Sequence, residues 1–338
     1  MKKGFLDFTR DQCTDPPPVA TAELTGQTVI ITGANAGLGF EAAKHFARMK
    51  PGKLILACRS EERGNAAVER VKEATGFDGV ELWLLDLAKF SSVIAFADKF
   101  EKGGERLDIL VANAAIAAQQ YNLTSDGWEE SIQVNDLSTS LLCLLLTPRL
   151  IETASKFDGR PRISIVSSEV HYWATFPEKT WEVPSALQYL NSTEHCTAKR
   201  MGNRYFETKL LNIFFTRSLA QLLRDTPVIV NTVNPGFCVS EIRRNFTGMA
   251  AFVNWVLDKS LSRPTEGGSR QLVYAAVGSP EDPEMLHGQY LNLHRVDEPS
   301  DYVVEEKGKE RQDILWDDLV RELSQVDARV GVIVQQYQ

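Results

Sequence analysis

Short apolar segments rich in β-branched residues alternate along this chain with segments of helical periodicity. The apolar segments predict strands, at residues 28–32, 53–58, 80–85, 107–112, 162–167 and 227–233, with a seventh in the segment that begins at Gly288. Segments between them, such as FEAAKHFARM from Phe40, place apolar residues on one side of a helix. Near-continuous apolar strands joined by helices form parallel sheets that helices cover on both faces. The pattern therefore predicts an α/β fold with a doubly wound parallel sheet of about seven strands.

Both ends of the chain fall outside this alternation. Residues 1–23 include three consecutive prolines and are predicted to form an N-terminal arm. Residues 301–338 pass from a charged segment into a helical pattern and are predicted to form a C-terminal helical tail. The residues between them, 24–300, are predicted to form a single domain, because large α/β sheets often fold as one unit.

Composition and charge narrow the range of partners. Of the 338 residues, 43% are hydrophobic and 24% are charged, which is enough apolar material for a large core. The net charge of -8 disfavours nucleic acid. The N-terminus lacks the apolar region of a signal peptide, and the most apolar run, 141–151, is too short to span a bilayer. Five cysteines without C-x-x-C spacing are typical of reduced thiols, so we expect a cytoplasmic protein without a transmembrane segment.

A glycine-rich turn follows the first predicted strand. Gly33, Gly37 and Gly39 lie between that strand and the next helical segment. Glycines permit a tight turn and close approach of the backbone to a ligand, and a helix N-terminus offers free N–H groups to phosphates. In this position the motif predicts a dinucleotide site. The predicted cofactor contacts in the turn are Gly33, Asn35, Gly37, Leu38 and Gly39.

The spacing of this turn, T-G-x-x-x-G-x-G from Thr32 to Gly39, resembles the short-chain dehydrogenase/reductase family. Three further features resemble the retinol-dehydrogenase-like and fungal carbonyl-reductase branch of that family: the strand end LACRS, the helix segment FFTRSLA and a long insertion at 169–204. The resemblance extends over about residues 24–295. It implies a Rossmann-type fold, a nicotinamide cofactor and hydride transfer between an alcohol and a carbonyl group.

The end of the second predicted strand bears on the choice between NAD and NADP. In NAD-dependent members an acidic residue at this point binds the ribose 2′-hydroxyl, whereas this chain has Cys58 followed by Arg59. A guanidinium group suits a 2′-phosphate. We therefore predict NADP(H) as the cofactor, with Arg59 as a ligand of its 2′-phosphate. The alternative is that Arg59 is an ordinary solvated arginine.

Further cofactor contacts are implied by the resemblance alone. After the third strand, Asp86 and the backbone of Leu87 would bind the adenine, although Asp86 could also cap a helix. After the fourth strand, VANAAI is similar to the family's N-N-A-G, with Asn113 and Ala114 matching and Ala115 replacing the glycine. After the sixth, VNPGFCVS is similar to P-G-x-V-x-T and implies nicotinamide contacts from Pro235, Gly236, Cys238 and Ser240. We expect Cys238 to act through its backbone rather than as a nucleophile.

Tyr205 and Lys209 are four residues apart in NRYFETK, so a helix would place them on one face. The resemblance matches this pair to the family's catalytic tyrosine and lysine, and it adds Asn135 and Ser168. Hydride transfer requires a proton donor or acceptor beside the carbonyl oxygen.

The resemblance gives each of these four residues a role. Tyr205 would be the acid or base, and the Lys209 ammonium would favour its phenolate form and bind the cofactor ribose. Ser168 would bind the substrate oxygen. The backbone carbonyl of Asn135, freed by an irregularity in its helix, would hold a water near Lys209. Each residue also has a plain alternative, from a strand-end hydrogen bond for Ser168 to a surface charge for Lys209.

The insertion between Ser168 and Tyr205 is rich in aromatic side chains. They fit two interpretations, the apolar wall of a substrate pocket or anchors that hold the insertion to the core, and the residues in question are Tyr172, Trp173, Phe176, Trp181 and Tyr189. Residues 237–263 are a second candidate lid, because their apolar side chains are helically spaced, at Phe246, Phe252, Trp255 and Leu257. The histidines are scattered, so no metal site is predicted.

Together these patterns predict an NADP(H)-dependent oxidoreductase that interconverts a hydrophobic ketone or aldehyde and its alcohol, acting as a reductase in secondary metabolism. Two alternatives stay open: a redox-linked epimerase or dehydratase, and a non-catalytic NADP-binding regulatory scaffold. The expected partner is a hydrophobic small-molecule carbonyl or alcohol. A homodimer through the helices of Asn135 and Tyr205 is common in the family, and the C-terminal tail could cover that face.

Overall fold

The computed structural model describes residues 3–240, 242 and 259–338. Its strands are β1 Thr28–Thr32, β2 Lys53–Cys58, β3 Val80–Leu84, β4 Ile109–Ala112, β5 Arg162–Val166, β6 Ile229–Asn234, β7 Tyr290–Asn292 and β8 Arg295–Asp297. They form one eight-stranded sheet in the order β3-β2-β1-β4-β5-β6-β7-β8. The strand order therefore reverses direction between β1 and β4.

The strands β1 to β7 pair in parallel, and β8 runs antiparallel to β7. This confirms the predicted α/β fold with a largely parallel sheet. β6 begins at Ile229 rather than at the predicted position 227, because Pro227 has no N–H to donate to the ladder. The sequence does not predict β8, since its three residues, RVD, are largely exposed and too few to show a strand pattern.

Helices flank the sheet and follow the strands along the chain. Their bounds are α1 Phe5–Cys13, α2 Gly37–Arg48, α3 Glu61–Thr75, α4 Phe90–Gly103, α5 Glu130–Ile132, α6 Ser138–Phe157, α7 Ala186–Asn191, α8 Ala198–Met201, α9 Arg204–Leu222, α10 Thr265–Val277, α11 Asp301–Val304, α12 Glu306–Val326 and α13 Arg329–Tyr337. A π-helical turn, Gln133–Leu137, joins α5 to α6.

The hydrophobic core has two layers, one on each face of the sheet. On one face α4, α6 and α9 contribute fully buried side chains such as Phe100 and Phe214. On the other face α2, α3 and α10 contribute Phe46 and Leu272. Among the described residues, one helical segment is long and apolar enough to cross a bilayer, Glu130–Phe157, and 83% of its most apolar window is buried inside the protein. This segment lies in the core of the fold.

Both ends of the chain pack against this core. The predicted N-terminal arm contains α1, a helix that the sequence pattern does not predict. The C-terminal tail is helical, as expected, and it packs on α9 and α6. Phe215 of α9 stacks on Trp316 of α12 with ring centroids 6.2 Å apart, and Arg217 Nε donates to Gln312 Oε1 at 3.0 Å. The tail therefore covers part of the surface of α6 and α9, which is the face expected for a homodimer.

Candidate active site

The predicted site residues gather at the carboxyl ends of the parallel strands. In open α/β sheets, ligands bind in the crevice at the point where the strand order reverses, which here lies between β1 and β4. The glycine turn follows β1, and the segments that carry Ser168 and the 235–240 loop follow β5 and β6. Fold topology therefore brings together residues from distant parts of the chain.

The glycine turn packs closely against its neighbours at Gly33 and Gly39 but not at Gly37. Gly33 and Gly37 have positive φ angles of 68° and 60°, which favour glycine. A Cβ on Gly33 would lie 3.0 Å from Ala114 Cα, and one on Gly39 would lie 2.6 Å from Asn113 Nδ2, whereas one on Gly37 would meet nothing within 4 Å. The turn is thus closely packed at Gly33 and Gly39 and unobstructed at Gly37. Glycine turns at a helix N-terminus are typical sites for phosphate groups.

The segment after β4 is fastened to the glycine turn by hydrogen bonds. The backbone N–H groups of Asn113 and Ala114 both donate to Thr32 Oγ1 at 2.9 Å, and Asn113 Nδ2 donates to the carbonyl of Thr32 at 2.8 Å. The replacement of glycine by Ala115 leaves these contacts in place. The two predicted cofactor segments therefore form one surface.

Two arginines lie near the end of β2, Arg59 directly after the strand and Arg63 in α3. Arg59 is exposed, and Cys58 is buried, which raises the pKa of the Cys58 thiol to about 11. Arg63, in the first turn of α3, also reaches the glycine turn: with the Asn35 amide oxygen turned toward it, that oxygen accepts from Arg63 Nη2 at 3.1 Å and from Nε at 3.3 Å. Arg63 is a candidate phosphate ligand that the sequence analysis did not include. Its place in the first turn of the helix that follows Arg59 is the signal that points to it.

The predicted adenine contacts, Asp86 and Leu87, lie in a turn that follows β3. Asp86 Oδ1 accepts from the backbone N–H of Ala88 at 3.1 Å, and the backbone N–H of Asp86 donates to Ser92 Oγ at 2.9 Å. Leu87 is buried. These contacts form a turn ahead of α4, whose N-cap is Lys89, so Asp86 is not the cap of that helix. Its role toward adenine stays a prediction.

Tyr205 and Lys209 lie on one face of α9. Lys209 Nζ is 5.4 Å from the centroid of the Tyr205 ring and donates to the carbonyl of Val166, at the end of β5, at 2.7 Å. The side chain of Lys209 is buried, and this burial lowers its pKa to about 7, although the nearby Asp136 carboxylate acts in the opposite direction. The lysine is therefore not a surface charge.

Asn135 lies in the π-helical turn, so the helix irregularity implied by the resemblance is present. Its side chain accepts from the backbone N–H of Ile116 at 2.8 Å and donates to Thr208 Oγ1 at 3.0 Å. Its backbone carbonyl accepts from Asn212 Nδ2 at 2.9 Å. A carbonyl has two lone pairs, so Asn212 takes one of the positions at which a water would bind.

The two serines at the end of β5 have different surroundings. Ser167 is buried, and its hydroxyl donates to the carbonyl of Lys209 at 2.8 Å. Ser168 is half-buried and caps a short 3₁₀ turn, Glu169–Trp173, where its Oγ accepts from Val170 N at 3.4 Å. The choice of Ser168 as the substrate-facing serine agrees with this difference in exposure.

The loop after β6 turns at Gly236, whose φ angle is 79°. Cys238 is buried, and its thiol lies 3.5 Å from the carbonyl of Pro235, to which it donates. Ser240 Oγ accepts from Ile242 N at 3.2 Å. This buried thiol fits the expectation that Cys238 acts through its backbone. Of the second candidate lid, 237–263, residues 241 and 243–258 lie outside the described residues, and these include all four of its predicted apolar positions.

The insertion is anchored by a buried ionic network next to Tyr205. Arg204 Nε donates to Glu129 Oε2 at 2.7 Å, and Arg204 Nη1 donates to Glu207 Oε2 at 3.0 Å. Within the insertion, His195 Nε2 lies 2.9 Å from Glu207 Oε2, and the carbonyl of Leu190 accepts from Arg204 Nη2 at 2.7 Å. These contacts fix the start of α9 to the insertion.

The aromatic residues of the insertion divide between the two proposed roles. Phe176 is buried in the core, and its ring contacts Trp181 and Tyr302 with centroids 5.9 and 6.2 Å apart. Tyr172 and Tyr189 also pack against the core. Trp173 is 41% exposed and contacts Phe206, the residue after Tyr205, with ring centroids 6.1 Å apart. Anchoring therefore describes most of them. Trp173 is the exposed member of the five, and its Nε1 donates to the carbonyl of Lys3 at 3.1 Å.

Comparisons with known proteins show which proteins this chain resembles. The family model for short chain dehydrogenase matches residues 27–170. A short chain dehydrogenase/reductase from Cryptosporiopsis sp. is 37% identical, and the match covers 95% of this chain and 98% of the relative. A short-chain dehydrogenase from Penicillium roqueforti is 36% identical, with 97% and 86% covered. Among solved structures, a protein from Mycobacterium paratuberculosis has 26% identity and a TM-score of 0.64, with 91% of this chain and 97% of that chain covered.

Proposed function

Since the chain belongs to the short-chain dehydrogenase/reductase family, whose oxidoreductases use a nicotinamide cofactor, we propose that it is an NADP(H)-dependent carbonyl reductase. It interconverts a hydrophobic ketone or aldehyde and the corresponding alcohol, in secondary metabolism. The observation that carries this proposal is the pairing of Tyr205 with the buried Lys209, whose Nζ is 5.4 Å from the tyrosine ring. A buried cation beside a phenol favours loss of the phenolic proton.

The chain's own residues would handle the proton of this reaction. When bound, the nicotinamide supplies a hydride to the carbonyl carbon. The Tyr205 hydroxyl donates its proton to the carbonyl oxygen, which becomes the alcohol, and Lys209 stabilises the phenolate that is left. The Ser168 hydroxyl donates a hydrogen bond to the same oxygen as negative charge develops on it. In the oxidation direction the same residues act in reverse.

The preference for NADP(H) is supported by charge at the end of β2. Arg59 is exposed there, Arg63 lies against Asn35 of the glycine turn, and the position of the acid in NAD-dependent members is the buried Cys58. Two guanidinium groups without a carboxylate at that position would attract a 2′-phosphate.

A hydrophobic substrate is supported by a cluster of aromatic rings that includes Phe206, the residue after Tyr205. Phe8 of α1 contacts both Trp173 and Phe237, with ring centroids 5.7 and 6.2 Å apart, and Trp173 also contacts Phe206. Phe8 is buried, whereas Trp173, Phe206 and Phe237 are at least partly exposed. Exposed aromatic rings near the proposed reactive groups favour an apolar ligand.

A panel of ketones and aldehydes tests the reaction, with loss of NADPH absorbance as the measurement. We expect turnover of at least one apolar carbonyl, and we expect Tyr205→Phe to lower kcat by about 10²- to 10⁴-fold, the usual contribution of general acid catalysis. Tyr189→Phe is the matched control, because Tyr189 packs against the core within the insertion. Wild-type turnover by a folded Tyr205→Phe protein would refute the proposal.

Cofactor preference is tested with the same substrate. We expect a lower KM for NADPH than for NADH, and a rise of about tenfold in the KM for NADPH in Arg59→Ala and in Arg63→Ala, as for loss of one charge-assisted contact. Arg48→Ala, which changes an exposed arginine at the end of α2, is the control. Equal use of NADH by the wild type would contradict the NADP(H) assignment and leave the reaction assignment intact.

A further inference from the structure

The N-terminal helix α1 is held to the sheet edge by buried charges. Lys3, itself buried, forms ion pairs with Asp11, at 3.0 Å, and with Asp297 of β8. Asn292 of β7 donates to Asp11 Oδ2 at 3.1 Å. Arg263 donates to the backbone carbonyls of Asp11 and, at 3.0 Å, of Thr14. Because buried charges are stable only when they are paired in this way, α1 has one defined position.

In this position the Gln12 side chain hydrogen-bonds to the backbone of the 235–240 loop. Its Nε2 donates to the carbonyl of Phe237 at 2.8 Å, and its Oε1 accepts from the Phe237 N–H at 2.9 Å. The same Nε2 donates to the carbonyl of Leu261 at 2.9 Å. A primary amide offers one acceptor and two donors, and all of these are used. Gln12 is buried, so water competes little for these bonds.

The glycine of the loop is matched to this contact. A Cβ on Gly236 would lie 2.9 Å from Gln12 Oε1 and 2.9 Å from Arg263 Nη1. The side chains of α1 and of Arg263 therefore occupy the space next to Gly236. The Phe237 carbonyl also accepts from the backbone N–H of Arg263 at 2.9 Å, so both of its lone pairs are in use.

We propose that Gln12 is a positioning residue of the active site, which fixes the backbone of Phe237 and with it the loop that holds the nicotinamide. This inference rests on the proposed function, in which Pro235, Gly236, Cys238 and Ser240 form the nicotinamide side of the cofactor site. The helix α1 then helps to position the cofactor site and is more than an N-terminal arm. Its Phe8 lines the same side through its contacts with Trp173 and Phe237.

A purely structural tether would affect every ligand alike, whereas a positioning role affects the nicotinamide alone. The test compares the dissociation constants of NADPH and of 2′-phospho-ADP-ribose, which lacks the nicotinamide, for the full-length wild type and Gln12→Met. The variant keeps the side-chain length and removes all three hydrogen bonds. Cys13→Ser changes the neighbouring exposed residue and is the control.

We expect Gln12→Met to weaken NADPH binding by about tenfold, as for one to two lost hydrogen bonds, and to leave binding of 2′-phospho-ADP-ribose within about twofold. Equal weakening of both ligands, or no change in either, would overturn the inference. If Gln12→Met does not fold, Gln12→Glu keeps the acceptor for the Phe237 N–H, and the same selective loss is expected.

The outcome for the wild type separates this inference from the proposed function. If the wild type prefers NADH, the NADP(H) assignment fails, and NADH and ADP-ribose replace the two ligands in an unchanged comparison. If the wild type binds neither NADPH nor NADH, both proposals fail together. Faster hydrogen exchange at the Phe237 amide in Gln12→Met, together with unchanged NADPH binding, would show a tether without a positioning role.

Discussion

Arg204 and Glu129 form an ion pair in which Nε lies 2.7 Å from Oε2 and both side chains are buried. Arg204 directly precedes Tyr205. Glu129 caps α5, where its carboxylate accepts from the N–H groups of Ser131 and Ile132, and α5 leads into the π-helical turn of Asn135. The pair therefore joins the two helices that carry the proposed catalytic tyrosine and asparagine.

Loss of this pair should destabilise the protein strongly. Arg204→Met leaves Glu129 buried without its cationic partner, whereas Glu207 keeps His195 and Arg200. We therefore expect the free energy of unfolding to fall by about 3–5 kcal/mol. Urea denaturation measures this change. Arg200→Met is the matched control: Arg200 contacts the same Glu207 at 3.3 Å but is 40% exposed, and a loss below about 1 kcal/mol is expected. Similar losses in the two variants would contradict this account of the network.

The two serines after β5 should separate catalysis from stability. Ser168→Ala removes the proposed donor to the substrate oxygen, so we expect kcat to fall by about 10²- to 10³-fold. Loss of the long cap to Val170 N, at 3.4 Å, should cost about 0.5 kcal/mol of stability or less. Ser167→Ala removes the buried bond to the Lys209 carbonyl, so we expect a loss of about 1 kcal/mol in stability. Steady-state kinetics and urea denaturation on both variants check the pair. The reverse assignment would move the substrate contact to Ser167.

Asp136 should set the pH range of activity through Lys209. Burial lowers the pKa of Lys209 to about 7, and Asp136 acts to raise it, so Asp136→Asn should lower that pKa further. The lysine would then lose its proton at lower pH. We expect the alkaline fall in kcat/KM for carbonyl reduction to move down by about one pH unit. The pH profile of Asp78→Asn, at an exposed position, should match the wild type, and an unmoved profile in Asp136→Asn would exclude this coupling.

Glu169 should make the fold less stable at alkaline pH. Burial, together with the nearby Asp11, raises the pKa of Glu169 from 4.5 to about 8, although Arg263 and Lys3 oppose this. The folded protein then holds a proton that the unfolded chain releases above pH 4.5, so stability falls as pH rises from about 4.5 to 8. Glu169→Gln lacks this proton, and at pH 8 it should be more stable than the wild type by about 2 to 4 kcal/mol.

Denaturation of Glu169→Gln at pH 5 and at pH 8 measures this difference. The gain over the wild type should be small at pH 5 and large at pH 8. Glu182→Gln changes an exposed glutamate in the same insertion and should show no gain at either pH. A gain of equal size at both pH values would indicate a packing effect in place of a titration.

The sheet was accessible to sequence analysis because its signals are local. TVIIT and KLILAC are apolar apart from Thr28, Thr32 and Lys53, and both strands have the predicted bounds. The glycine turn and the spacing of Tyr205 and Lys209 are also short-range patterns, and the fold places each of them at the carboxyl ends of the strands. These elements depend on residues that are close in sequence, so their pattern survives without knowledge of the fold.

The insertion and the chain ends depend on distant partners. Ser185 and the backbone N–H of Leu187 both donate to Asp318 Oδ2 in α12, at 3.0 and 2.7 Å. Gln12 binds Phe237, 225 residues away. The local sequence pattern does not predict such partners. The aromatics of the insertion could not be divided between core and pocket for the same reason, since Phe176 packs on Tyr302.

The helix α1 precedes every strand of the sheet along the chain, yet its docking surface includes Asn292 and Asp297, and Asn292 lies 281 residues after its partner Asp11. Contacts between such distant positions form late, because a long loop must close first. On the ribosome α1 therefore has no complete surface to bind until β8 has emerged. A product truncated before Asn292 would still contain Tyr205 and Lys209, but α1 would lack these two anchors. The helix α1 would therefore be among the last elements to dock beside the proposed active site.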